Sequence, residues 1–311
     1  MERRARTAAE PKLPGIFETI ALAFSALLVA PVPALFPLIV DAWLWKGPRL
    51  SPAALTSPLT AALSDQPGVD PTMVEALTRW GQTGDLTAIV GWFVPSLLTG
   101  ADRVAMGMTF TDRPAVVLSA GGAVAAGVLL VALAVLLTMA FKTLLGRIAL
   151  GAPLLDANLG RDVLRNFARY LGFLGLAAAA VLGIAVPAGV LLAILQMAGI
   201  DLLPLFGLVV SMAVFVAAFL LAFVAEAIVV AGVGPIRAMR LSARVVQRFP
   251  WRTIGLLLTL WVALFSLPPL LAMVARGPVG IVIAIVFYAF AATGLSLARF
   301  VFFADRLPRA A

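Results

Sequence analysis

Six apolar runs, each about as long as a bilayer is thick, leave this chain one class of fold. They cover residues 16–40, 114–141, 171–198, 202–233, 254–275 and 279–303. A helix rises about 1.5 Å per residue, so about 20 apolar residues cross a hydrocarbon layer of about 30 Å. In that layer the backbone finds no water, and a helix satisfies every amide and carbonyl within its own segment. Composition agrees. Of 311 residues, 62% are hydrophobic and 12% charged, against about 45–50% and about 25% in a soluble domain. The expected fold is all-α, a polytopic membrane protein with six transmembrane helices.

Charge sets the expected orientation. With both termini cytoplasmic, six basic residues fall outside: Lys46, Arg49, Arg79, Arg103, Arg113 and Arg276. The other 17 of 23 lie on the inner side. Short loops rich in Lys and Arg stay cytoplasmic, and every short basic loop here obeys. The chain therefore divides into a tail (1–15), a first span (16–40), an extracytoplasmic helical cap (41–113), a five-span bundle (114–303) and a second tail (304–311). Arginine outnumbers lysine 20 to 3, a composition typical of GC-rich bacterial genomes, and the bacterial plasma membrane is the expected location. A cleavable signal peptide is the competing reading of the first run, since Val32-Pro33-Ala34 loosely resembles a cleavage site. The run is longer than the usual h-region of about 7–15 residues.

Inside the cap, Asp70 before Pro71 marks a helix start, and Glu75 with Arg79 forms a favourable i, i+4 pair. Residues 86–98 are apolar but too few to span, so they are expected in the outer interface or over the bundle. In the second run, small residues at four-residue spacing between Ala120 and Gly127 predict close helix packing. Pro31, Pro33 and Pro37 are expected to kink or break the end of the first span, and Pro187 and Pro268-Pro269 to interrupt later ones. Such interruptions are a feature of transporters.

Two basic amphipathic stretches lie between spans, at 142–170 and 235–252, and both are expected as helices at the inner leaflet. In the second, Arg237, Arg240, Arg244 and Arg248 share one helical face. Ile236, Met239, Ala243, Val246 and Phe249 fall opposite. Pro235 suits the first helical position and Pro250 ends the helix. With Arg252, these residues form a candidate site for anionic lipid headgroups on a helix lying flat at the inner leaflet. The stretch Arg161–Leu174 repeats some of this pattern ahead of its own span, as a duplicated unit would.

Catalytic chemistry has few carriers here. There is no histidine and no cysteine, hence no thiol chemistry and no imidazole base or metal ligand. No phosphate-binding glycine loop, HExxH or G-x-S-x-G pattern occurs. No enzyme activity, cofactor, metal or nucleic-acid partner is expected. Glu18 near the start of the first span is expected to reach headgroups. Glu226 lies about two turns inside the fourth, where an ionisable group is costly and marks a possible intramembrane polar site. Pairing with Arg237 or Arg299 is its structural explanation, although Arg299 also suits a snorkelling role.

Between Val229 and Leu257, the residues Gly232, Gly234, Pro235, Ala238, Ser242, Phe249, Trp251, Arg252 and Gly255 resemble the membrane domain of bacterial glycerophosphoryl diester phosphodiesterases and related integral membrane proteins. Ala231 and Ala243 depart from the acid and the aromatic often found there, and Pro250 is an addition. The chain has no room for the phosphodiesterase catalytic domain, so the resemblance implies a membrane module and not hydrolysis.

The leading functional expectation is a non-catalytic membrane module that binds anionic headgroups and a partner protein. The alternative is a transporter or permease subunit that uses Glu226 and proline-broken helices. A dry, closed bundle favours the module. A polar cavity that contains Glu226 and reaches the midplane favours transport. The topology is directly testable, because a cysteine introduced as Thr83→Cys stands alone in the chain. It is expected to react with an impermeant reagent on intact cells. Reaction only after permeabilisation would reverse the orientation.

Overall fold

A computed structural model describes residues 13–66, 69–100, 113–198 and 202–310. Helices α1 (Ile16–Val29) and α2 (Leu35–Lys46) are joined through a short 3-10 turn and bent by 89°. The cap contributes α3 (Ala53–Ser64), α4 (Pro71–Thr83), α5 (Ile89–Phe93) and α6 (Leu97–Gly100). The remainder is α7 (Ala120–Ala149), α8 (Leu159–Met197), α9 (Leu203–Leu220), α10 (Val224–Val230), α11 (Pro235–Arg248), α12 (Pro250–Val274) and α13 (Gly277–Ala310). One short parallel ladder pairs β1 (Arg49–Ser51) with β2 (Ala115–Val117). Taking α9 and α10 as one segment, five helical segments are long and apolar enough to cross a membrane, or six if the bent α1–α2 pair counts as one span. The chain is an all-α, multi-pass membrane protein.

Several boundaries differ from the sequence expectation. The stretch 142–170 is no separate amphipathic helix: it is the end of α7, a turn, and the first turns of α8. Arg147 closes that turn, reaching Asp156 and Asp162 at 2.8 Å each and donating to the Pro153 carbonyl at 3.0 Å. The hydrogen bond from Arg147 holds the Asp156 carboxyl below the usual carboxylate range. Pro187, Pro268 and Pro269 sit inside the unbroken α8 and α12. A proline removes one helical hydrogen bond, whereas ending the helix in lipid strands several polar groups. The bend comes at Pro31–Ala34 instead, where the prolines are clustered.

The small-residue stretch packs in part: Ala123 is fully buried, but its glycines are not the closest approach. A side chain added at Gly121 or Gly127 would meet nothing, whereas one at Gly146, lower on α7, would collide with Val229 of α10. Residues 304–311 were expected as a tail, yet α13 continues to Ala310. Arg306 is fully buried there, donating to the carbonyls of Pro14 and Phe302 with its guanidinium 3.6 Å from the Phe302 ring centre. Residues 1–12, Arg103 and the turn Gly199-Ile200-Asp201 lie outside the described residues.

Two cores hold the bundle. One gathers Phe141, Phe223, Ile228, Val245, Leu256 and Phe300 from α7 and α10–α13. The other joins Val40 and Leu44 of α2 to Val94, Leu97, Ile285 and Tyr288. Residues 86–98 therefore do more than cover an interface: Val94, Leu97 and Leu98 are buried, and α6 packs against α2, α12 and α13. Asp41 makes that insertion possible. Its buried carboxylate accepts from Ser96 Oγ at 2.6 Å, Leu97 N at 3.0 Å and Leu98 N at 3.1 Å. These are the orphan amides at the start of α6.

The outer part of the cap is secured differently. Asp85 accepts from the Leu50 and Thr87 amides and pairs with Arg113 at 2.9 Å, and Arg113 also donates to Gly47. Asp70 caps α4 through Thr72 N at 2.9 Å, and Glu75 meets Arg79 at 2.7 Å in the open. An exposed pair of that kind adds little stability. Asp41 is the sensitive position. Asp41→Ala strands buried donors at about 1–3 kcal/mol each, so its Tm in detergent is expected to fall by several degrees, with Asp41→Asn intermediate. An unchanged Tm for Asp41→Ala would mean that apolar packing alone holds residues 94–98.

Candidate functional site

The site begins at a gap between helices. α9 ends at Leu220 and α10 starts at Val224, so backbone groups at 221–223 leave the regular ladder inside an apolar region. Ser242 of α11 mends part of the gap: its hydroxyl donates to the Leu220 carbonyl at 2.7 Å and accepts from Phe223 N at 3.0 Å. Arg299 of α13 mends more by donating to the Ala222 carbonyl. Just beyond the gap, α10 places Glu226 inside the protein.

Glu226 is 1% exposed, and its Oε1 lies 2.8 Å from Arg299 Nε. Its second oxygen, Oε2, is buried and accepts no hydrogen bond among the described residues. Of the two partners the sequence offered, Arg299 is the one that meets Glu226. Its guanidinium reaches inward, 5.8 Å from the Phe223 ring centre, and does not snorkel outward. Glu18, expected among headgroups, accepts from Gly15 N at 3.2 Å at the start of α1.

Glu226 and Arg299 face a cavity of about 410 Å³. Its polar lining includes Thr99, Lys142, Tyr288 and Ser296, from the inserted cap segment, α7 and α13. Lys142 interacts electrostatically with both Glu226 and Arg299. Two basic side chains and one carboxyl thus share its wall, and both bases can donate hydrogen bonds to a negative guest. Tyr288 and Arg299 are separated by about 16 Å along α13 at ordinary helical rise.

The arginine helix sits beside this site with its charges elsewhere. Arg237, Arg240, Arg244, Arg248 and Arg252 are all exposed. The buried face of α11 is Ala238, Leu241, Ser242, Val245 and Val246, while Ile236 is exposed. That corrects the expected apolar face. α11 packs on α8–α10, α12 and α13, and small Ala238 and Ser242 are fully buried there. Its apolar side is occupied by protein, not by acyl chains. Lys142 and Asp41 were missed in sequence because each stands where an apolar run ends. A charge there looks like a loop residue, and the packing that buries it comes from distant segments.

A double-mutant cycle on Glu226→Gln and Arg299→Gln checks the pair. Residues in direct contact couple by about 0.5–3 kcal/mol, and stability in detergent is expected to show that coupling. Strict additivity would mean the two charges do not hold each other. Comparison with known proteins adds no identity: no family model, no curated protein and no solved structure matches this chain.

Proposed function

We propose that this protein is a transporter or permease subunit whose intramembrane cavity receives an anionic group. The observation that carries the reading is the cavity of about 410 Å³ with Lys142, Glu226 and Arg299 at its wall. That volume lies in the range of small-ligand sites, about 300–1,000 Å³. Ionisable side chains facing such a space inside an apolar bundle are expensive, and substrate or ion pathways are where they are usually retained.

Helix discontinuity supports the same reading. Non-helical backbone at membrane depth is tolerated where it is buried in protein or lines a watery space. Residues 94–96, between α5 and α6, line the cavity, and the α9–α10 gap adjoins Arg299. Broken helices of this kind line the sites of secondary transporters. By the positive-inside rule, Lys142 and Arg299 belong to the inner half of the bilayer and the inserted cap segment reaches them from the outer side.

The membrane-module reading keeps one specific support, the five arginines exposed together on α11 and the start of α12. Each basic residue near an anionic surface attracts headgroups by about 1 kcal/mol. We assign that face to gathering anionic lipid at the inner leaflet of a bacterial plasma membrane, beside the cavity. No catalytic step is assigned.

Water access tests the cavity. Ser296→Cys introduces a lone thiol on its wall, and labelling by an impermeant reagent is expected in one orientation of sealed vesicles. Thr99→Cys, on the cap side, is expected to react from the opposite face or not at all, as a gated pathway requires. Absence of labelling at Ser296→Cys from both faces, in folded protein, would mean a dry bundle and would remove the transporter reading.

A further inference from the structure

A second concavity lies beside the first. A groove of about 550 Å³ is walled by Phe215 and Phe219 of α9 and by Leu257, Leu258 and Trp261 of α12. Its floor is Leu264, Ser296 and Arg299, and the same three residues line the charged cavity. The groove is almost wholly apolar, and its rim residues Phe215, Leu258 and Trp261 are exposed, so it opens towards the surrounding lipid. The polar cavity and the apolar trough are therefore neighbours, with Leu264, Ser296 and Arg299 between them.

We propose that the substrate of this site is an anionic phospholipid with a hydroxyl-bearing headgroup. The phosphate meets Lys142 and Arg299, the headgroup occupies the cavity, and an acyl chain lies in the groove between α9 and α12. This rests on the transporter reading and names its substrate class. Three observations carry it. Two basic side chains, Lys142 and Arg299, line the cavity and both can donate to a phosphate. Glu226 Oε2 is buried without a donor, and an unmet buried acceptor favours a guest that brings a hydroxyl or other donor. The groove and the cavity lie on either side of Leu264, Ser296 and Arg299, so one amphiphilic molecule placed across Arg299 engages both. A fully polar solute leaves the trough unused, and an ordinary lipid lying along the bundle leaves the charges unused.

Glu226 adds selectivity in this arrangement. A choline head has no hydrogen-bond donor for Oε2 and brings its own positive charge beside Lys142 and Arg299. A glycerol head carries hydroxyls and no positive charge. Phosphatidylglycerol is thus the favoured probe, phosphatidylcholine the disfavoured one, and sn-glycerol 3-phosphate the head without chains.

Native mass spectrometry of the delipidated full chain, with each probe added in turn, reads retention directly. One retained phosphatidylglycerol is expected, with phosphatidylcholine and sn-glycerol 3-phosphate at least about tenfold weaker. Ala218 lines the groove on its exposed side, so Ala218→Trp fills the trough without disturbing the core. It is expected to weaken phosphatidylglycerol about tenfold and to leave sn-glycerol 3-phosphate unchanged. Lys142→Gln with Arg299→Gln is expected to lose both, and Ala218→Trp still decides the matter if that double variant fails to fold.

The contrary outcomes separate two failures. Retention of sn-glycerol 3-phosphate as strong as that of the lipid, indifferent to Ala218→Trp, would overturn the amphiphile and leave the anion cavity standing. Binding lost only when Arg237, Arg240, Arg244 and Arg248 are changed together to Gln would overturn the site and move the lipid to the exposed face of α11. Equal retention of phosphatidylcholine would mean bulk lipid in the groove, and would overturn the headgroup assignment.

Discussion

Backbone polarity in a medium without water is the constraint on which this architecture depends. Each place where the chain leaves the helix needs a donor or acceptor from elsewhere. Asp41 supplies it at the start of α6, Ser242 and Arg299 at the α9–α10 gap, and Arg147 at the turn after α7. Arg306 does so at the chain's far end, binding the Pro14 carbonyl just before α1. Except for Arg147, which closes the turn that follows it, these side chains come from other segments of the chain. Their loss unmakes a turn as well as a contact, which is why buried charge persists in so apolar a chain.

The candidate site is a by-product of the same repairs. Arg299 is held by the Ala222 carbonyl and by Glu226, and it also faces a cavity that Lys142 shares. A buried ion pair is weak evidence for stability on its own, since desolvation offsets most of the attraction. Here one carboxylate oxygen remains unmet, and a second basic side chain, Lys142, shares the cavity with the pair. An arrangement selected for stability alone would close both accounts with apolar side chains. The arrangement makes sense when a guest completes it.

Much of the bundle was legible in sequence for a simple reason. Run length and apolar composition are local properties, and the membrane acts on them locally. The helix start at Pro235, its stop at Pro250 and the Glu226–Arg299 alternative were all visible as residue types at given spacings. Proline was the misleading signal. Pro187 and Pro268-Pro269 sit in continuous helices, while the α9–α10 gap has no proline at all. A break is decided by whether neighbours can satisfy the freed groups, and the local sequence carries no record of those neighbours.

The sequence by itself determined that the chain is a helical, multi-pass membrane protein, and that one face of α11 carries arginine. Charge and hydropathy are summed along the chain, and no fold is needed to read them. Only the tertiary structure decided where that helix spends its apolar face, and that Asp41 draws the cap segment into the bundle. It also brought Lys142, Glu226 and Arg299 from α7, α10 and α13 around one cavity beside one groove. The residues of such a site are scores of positions apart, and the packing of helices over that separation, not any spacing along the chain, makes them neighbours.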